Sequence, residues 1–354
     1  MATVFLVIVV ITGLTLFYYS RPILIGVIIP TQTNLGNEEN LYARYYRDTH
    51  PRIGLRKINF IIENQAVKEQ EIKDAYNKMI KMGVSAIIGG VISQEGIWLS
   101  EESKKSSVPT FGITTSSSLL SKKKDAFFRV VPTNDGQANA VAEYYNKLGM
   151  KKLVLVTSTE NKAYADPIVK IIQDKFKGEV WNIPFYSDEE TYTKILSKNP
   201  DSIFCILDGK NVMDVIKKFK EKQSVIKIGS SSWGSSEILT LYSSSLLDGV
   251  LLFSSSTNLI GEEYKAEIAD FEMKYNIEAT KGSHYTSSVL NILYKGLTAV
   301  GGSRESLKTY FETPRIYNAA YGKASIDEYG DSSLNIVIVL ELRDGKVIKE
   351  EILK

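Results

Sequence analysis

Residues 58–134 constrain this 354-residue chain more than any other stretch. They read INFIIENQAVKEQEIKDAYNKMIKMGVSAIIGGVISQEG…SVPTFGITTSSSLL…FFRVVPTN. The apolar run 58–62 predicts a buried strand that ends at Glu63 and Asn64. Ile72, Ala75, Tyr76, Met79 and Ile80 then recur at helical spacing and predict one buried helix face. A second apolar run, 84–88, ends in Gly89 and Gly90, with Ser93 just beyond. A third, 108–113, ends in the hydroxyl cluster 114–118. Strands alternating with helices, with glycine or hydroxyl residues at the strand ends, give the pattern of a parallel α/β sheet. In such sheets ligands lie beyond the carboxyl ends of the strands. Ser93, Thr115 and Ser116 fall at those ends.

The same alternation continues on both sides. Residues 22–30 (PILIGVIIP) predict the first buried strand, followed by the loop TQTNLG and a tyrosine-rich helix over 40–47. Helices are expected over 135–148, 165–176 and 212–219, with strands over 152–158, 201–207 and 225–229. Pro167 is expected in the first turn of its helix, where a missing N–H costs nothing. Residues 249–255 predict a strand leading back to the first unit. Helices over 262–275, 284–300 and 304–311 follow, then strands over 321–326, 334–342 and 346–353, the last two joined by a turn at Asp344 and Gly345. No repeat of solenoid length is present.

Residues 4–17 (VFLVIVVITGLTLF) are too apolar for the surface of a soluble domain. Residues 1–21 are expected to be a signal peptide or a membrane anchor. The anchor is preferred: no Lys or Arg precedes the segment, no A-x-A site follows, and Tyr18, Tyr19 and Arg21 suit a membrane interface. Either reading places the remainder outside the cytoplasmic membrane. A net charge of +2, with acidic residues interspersed among the lysine runs, gives no electrostatic case for nucleic acid. Cys205 is the only cysteine and lies in the apolar run 203–207, so a core thiol is expected and an intrachain disulfide is excluded.

The order of the segments IGG…S, VP followed by hydroxyl residues, and FFRVVPTNDGQANAVAEY resembles the type I periplasmic substrate-binding proteins, of the kind that capture branched-chain amino acids for ABC transporters. YADPIVKIIQDKF, DGVLLFSSS, FEMKYNIEATKGSHYTSS and YGKASIDEYGDSS extend the likeness over nearly everything after residue 22. The resemblance implies two similar lobes, each a parallel sheet flanked by helices, joined by three hinge crossings near residues 131–134, 253–257 and 329–333. It implies one lobe from 22–133 plus 257–331, and another from 134–256 plus 332–354. A small-molecule ligand and an ABC permease are the implied partners. A membrane-tethered sensor acting through a partner protein is the alternative. The related sugar repressors begin with a DNA-binding helix-turn-helix, whereas an apolar segment stands here.

No G-x-S-x-G, H-E-x-x-H, P-loop or G-x-G-x-x-G is present, and His50 and His284 lack metal-ligand spacing, so neither an enzyme nor a cofactor is expected. By resemblance, Ser93 with Thr115 and Ser116 binds a ligand carboxylate; helix N-capping is the competing reading of these hydroxyls. Tyr164 and Tyr285 match aromatics that the family brings to the ligand. The family's amino-acid binders hold the ligand ammonium with an acidic residue, but here the matching segments, GSSSWGSS and Tyr285-Thr286, carry none. Asp208 is the candidate substitute, with a simple turn at Asp208-Gly209 as its alternative. Ser231 and Trp233 offer further contacts. Without Asp208, the ligand is expected to lack an ammonium group.

Overall fold

A computed structural model describes residues 21–221, 225–241, 245–256, 260–344 and 346–353. The apolar leader at residues 1–20, Thr257 in the second predicted crossing, and Gly345 of the predicted C-terminal turn lie outside the described residues.

In β1 (Ile23–Ile28), Ile23, Ile25 and Val27 pack into the core on one face of the sheet, and Ile28 faces the cluster on the other. A Cβ on Gly26 would come within 2.6 Å of the Met79 sulfur and 2.9 Å of Ile87 Cγ1, so a larger residue there would make both side chains shift. β1 pairs in parallel with β3 (Arg56–Glu63) on one side and β4 (Ala86–Gly89) on the other. β5 (Thr110–Gly112) and β6 (Phe127–Arg129) extend the sheet, and β2 (Arg52–Ile53) forms its antiparallel edge. The predicted helix face is present in α2 (Glu69–Met82), which follows α1 (Asn34–Thr49): Ile72, Ala75, Tyr76 and Met79 are buried and Ile80 is half-buried. α3 (Ser93–Ser106) follows β4.

The second sheet is built on β7 (Lys152–Thr157), flanked in parallel by β8 (Glu179–Pro184) and β9 (Ser202–Ile206). β10 (Lys227–Ser230) and β11 (Leu251–Ser254) continue it, and antiparallel β14 (Val337–Arg343) and β15 (Lys346–Leu353) close the row. α4 (Asn134–Lys147) and α5 (Lys162–Lys175) cover one face, and α6 (Glu189–Ser197) and α7 (Gly209–Glu221) the other. α8 (Ser232–Leu241) follows β10. α9 (Glu262–Tyr275), α10 (Lys281–Val300) and α11 (Arg304–Glu312) add to the first sheet's core. A separate hairpin, β12 (Arg315–Ala319) and β13 (Gly322–Ile326), packs there too.

In each sheet the first strand of the unit lies between strands that follow it in sequence: β3-β1-β4 in one, β8-β7-β9 in the other. The chain reverses its winding direction at those points, and loops on either side part to leave a crevice. One expectation is corrected. α5 begins at Lys162, so Pro167 lies past the first turn and interrupts the helical ladder.

Candidate functional site

The two crevices face one another across a cleft with about 380 Å³ of space unfilled by protein atoms, mouth included. From the first sheet come the loop after β4 (Val91, Ile92), Ser93 at the start of α3, and Thr114 and Ser116 after β5. From the second come Asn161 and Tyr164 around the start of α5, Ser232 and Trp233 after β10, and Ser255 after β11. Lys281 and Tyr285 of α10, with Leu35 of α1, complete the wall.

Of the residues expected from sequence, the structure brings Ser93, Ser116, Tyr164 and Tyr285 together on this cleft. Ser93 is the first helical residue of α3 and not its cap. The capping role falls to Glu95, whose Oε2 accepts from the Val91 and Ile92 N–H groups at 2.7 and 3.3 Å. Ser93 Oγ accepts from the Ser117 N–H at 3.2 Å, so its own proton is what it can offer a ligand. Tyr164 donates to Gln137 Oε1 at 2.9 Å and meets Trp233 edge to face, with ring centroids 5.9 Å apart. Burial pushes its phenol up to about 12. Tyr285 is fully buried and donates to the Ser255 carbonyl at 3.0 Å.

Thr115, Ser231 and Asp208 are placed differently. Thr115 sits in a niche left by glycines: a Cβ on Gly90 or on Gly96 would lie 2.8 Å from its side chain. It is fully buried beneath the first turn of α3 and does not line the cleft. Ser231 is fully buried beside the Tyr164 hydroxyl, one residue short of the cleft wall. Asp208 turns toward its own helix. Its Oδ1 accepts from the Asn211 N–H at 3.0 Å and its Oδ2 from Asn211 Nδ2 at 2.6 Å. That is the N-cap geometry of the turn reading. Thr115 and Ser231 are thus seated behind the cleft wall, and the Asp208 carboxylate caps its own helix.

Several contributors escaped the sequence reading. Lys281 is 8% exposed and lies in the cleft wall, its Nζ donating to the Ser232 carbonyl at 2.7 Å. Its position four residues before Tyr285 puts both on one helix face, a usable signal. Arg129, also buried, holds the loop that carries Ser116. It donates from Nη1 to the Ser117 carbonyl at 2.5 Å and from Nη2 to Asp331 Oδ1 at 2.7 Å and Ser121 Oγ at 2.6 Å. Asn134 ties that loop to α5. Its N–H donates to the Ser116 carbonyl at 2.8 Å, its Oδ1 accepts from the Ser118 N–H at 3.0 Å, and its Nδ2 donates to the Tyr164 carbonyl at 2.9 Å.

Outside the cleft lining, the two walls are latched by Gln94 and Ser117. The Gln94 N–H donates to Asn161 Oδ1 at 3.1 Å, and its Oε1 accepts from the Ala163 N–H at 3.4 Å. Ser117 Oγ donates to the Ala163 carbonyl. In an unbroken helix that carbonyl would accept from the N–H of residue 167. That residue is Pro167, which has none, so the carbonyl is left for the opposite wall. His50 stacks on Tyr46, and His284 is buried against the Tyr321 hydroxyl at 2.7 Å, where burial lowers it to about 4. Neither histidine lines the cleft.

Two lobes with a cleft at the carboxyl ends of both parallel sheets define the type I binding-protein architecture. A family model described as periplasmic binding protein matches residues 42–340, and the chain belongs to that family. The leucine binding protein LivK of Thermotoga maritima is similar at a TM-score of 0.83 with 20% identity, covering 94% of this chain and 99% of that one. LivJ of Streptococcus pneumoniae, a branched-chain amino acid transporter substrate binding protein in complex with isoleucine, gives 0.82 with 18% identity over 94% and 100%. An ABC transporter solute binding protein of R. palustris, in complex with benzoate, gives 0.82 with 20% identity over 94% and 96%. A search of curated protein sequences returns no match.

Proposed function

We propose that this chain is an extracytoplasmic solute-binding protein that captures a small polar organic ligand by hinge closure and presents it to an ABC-type permease. The observation that carries this reading is the cleft lined by Ser93 and Ser116 from one sheet and by Tyr164 and Trp233 from the other. A ligand held by both walls is buried when they close and released when they part. Hydroxyl groups beside the N-terminus of α3 suit a carboxylate, since helix orphan N–H groups and the helix dipole favour an anion. The ligands named for two structural relatives, isoleucine and benzoate, share that group. Residues 22–133 with 257–331 form one lobe and 134–256 with 332–354 the other, and residues 1–21 tether the protein to the membrane.

The test is a thermal-shift screen of the full chain against amino acids, small carboxylates, amides, purines and sugars. A ligand at about a hundred times its dissociation constant adds roughly 2.7 kcal/mol, a shift of several degrees for a protein of this kind. Recovery of the bound compound unchanged supports capture without chemistry. A well-folded protein that responds to no compound would count against the proposal.

A further inference from the structure

We propose that Glu39 is held as a neutral carboxylic acid behind the cleft and positions its first wall, donating its proton to Thr114 Oγ1 while Thr114 donates its own to the Val91 carbonyl. The inference rests on the ligand-capture reading above and adds a positioning residue to that site. Glu39 lies on α1, is fully buried and does not itself line the cleft. Thr114, in the loop after β5, and Val91, in the loop after β4, both do.

Thr114 Oγ1 stands 2.7 Å from the Val91 carbonyl oxygen and 2.7 Å from Glu39 Oε1. Both are hydrogen-bond distances between oxygens, and each needs a proton. A threonine hydroxyl has one proton to give and a backbone carbonyl has none. With Glu39 ionised, one of the two contacts would set lone pair against lone pair. With Glu39 protonated, both are filled. The other carboxyl oxygen, Oε2, is buried without a hydrogen-bond partner among the described residues. The carbonyl oxygen of a neutral acid loses less in that position than half of a carboxylate does.

The charged groups that face Glu39 come from three helices: Glu38 on α1 itself, Glu95 on α3 and Lys281 on α10. Burial is the largest influence and holds the carboxyl well above the usual carboxylate range. Glu95 and Glu38 add to it, and Thr114 and Lys281 oppose it. The Val91 peptide is gripped from two sides, its N–H by Glu95 Oε2 at 2.7 Å and its carbonyl by Thr114. The chain thus joins α1 to the loops after β4 and β5, from which the first sheet reaches the cleft. Loss of the Glu39 proton returns the Thr114 hydroxyl to the carboxylate and releases the Val91 carbonyl.

The test is carbon NMR of the full chain labelled on its glutamate carboxyls, with the Glu39 signal assigned by its absence from Glu39→Gln. That signal is expected to report a protonated carboxyl at about pH 6, where an unperturbed glutamate is ionised. A signal that titrates in the ordinary glutamate range, as a counter-ion of Lys281 would, overturns the inference and leaves ligand capture standing. Should Glu39→Gln fail to fold, the signal is assigned by Thr114→Val, which shifts it most, and its titration decides the matter. The second arm is calorimetric titration at the same pH with isoleucine and benzoate or, failing both, with the strongest responder of the thermal-shift screen. Glu39→Met keeps no donor and is expected to weaken binding about threefold to tenfold, whereas Glu39→Gln, whose amide donates to Thr114, restores it to within a factor of about two. Thr114→Val is expected to lose as much as Glu39→Met, with no further loss in the double variant. Glu39→Met binding as tightly as Glu39→Gln would overturn the positioning role. A folded chain that binds neither probe, nor any compound of the wider screen, would remove the capture reading and this inference with it.

Discussion

At the scale of single residues, Arg129 and Glu95 position the cleft from behind. Arg129 is 1% exposed and its guanidinium joins Asp331 to the carbonyls of the Ser116 loop. Replacing it with methionine leaves Asp331 without its cationic partner, with only the Lys122 N–H still donating to its carboxylate, and frees the loop. We expect Arg129→Met to lower unfolding stability by roughly 3–5 kcal/mol in a urea titration, with ligand binding weakened in whatever protein still folds. Glu95 has a different signature. Burial raises its carboxyl from 4.5 to about 7, against the two N–H groups that favour the anion. The folded protein holds this proton more tightly than the unfolded chain. The stabilisation is full below about pH 4.5 and is lost as pH rises toward 7. His284 acts in the opposite direction: its pKa falls from 6.5 to about 4, so its contribution is present above 6.5 and is lost as pH drops through that window. The two slopes offset each other in the native protein. Glu95→Gln should therefore shift the slope of melting temperature against pH upward relative to the native protein between pH 4.5 and 6.5, with buried Glu39 still contributing a fall of its own, and an unaltered pH profile in that variant would refute the assignment.

At the scale of elements, Pro167 and α5 show how a local fault becomes a contact. The proline deprives the Ala163 carbonyl of its helical donor, and Ser117 from the facing wall supplies one. Removing Ser117 Oγ and the Gln94 side chain takes out two cross-wall bonds without altering the residues that line the cleft. Each is worth about 0.5–1.5 kcal/mol. Ser117→Ala and Gln94→Ala are each expected to weaken ligand affinity by about threefold to tenfold, chiefly through a faster dissociation rate in stopped-flow measurements. Much of the element order was legible in the sequence, because strongly periodic segments declare themselves. The buried face of α2 and the alternating β1 are of that kind. The hairpin strand β12 was not, since RIYNA exposes Ile316 and buries Tyr317, the reverse of what hydrophobicity suggests. The site was half legible. Strand ends placed Ser93 and Ser116, and the family resemblance placed Tyr164, but sequence cannot say which way a side chain turns at such an end. Asn211, three residues on, decides that for Asp208, and glycine packing decides it for Thr115. Lys281 and Arg129 are read only once helix faces and loop carbonyls are assembled.

At the scale of the whole molecule, the two sheets bring their winding reversals face to face, so neither lobe holds the complete cleft. The described conformation already carries the cross-wall bonds of Gln94 and Ser117. We expect small-angle scattering to report a smaller radius of gyration for the ligand-saturated protein than for the free one, with the difference reduced in the Gln94→Ala/Ser117→Ala double variant. Identical radii with and without a bound ligand would argue against hinge closure. The position of the latch has a consequence for how such a protein changes over time or under a designer's hand. Two of the side chains that fasten the halves, Gln94 and Ser117, stand outside the cleft lining, whereas Asn161 serves in both. The strength of retention can drift up or down through positions 94, 117 and 167 without changing which molecule is admitted. A protein built this way can be retuned in how long it holds a ligand by substitutions that never touch that ligand.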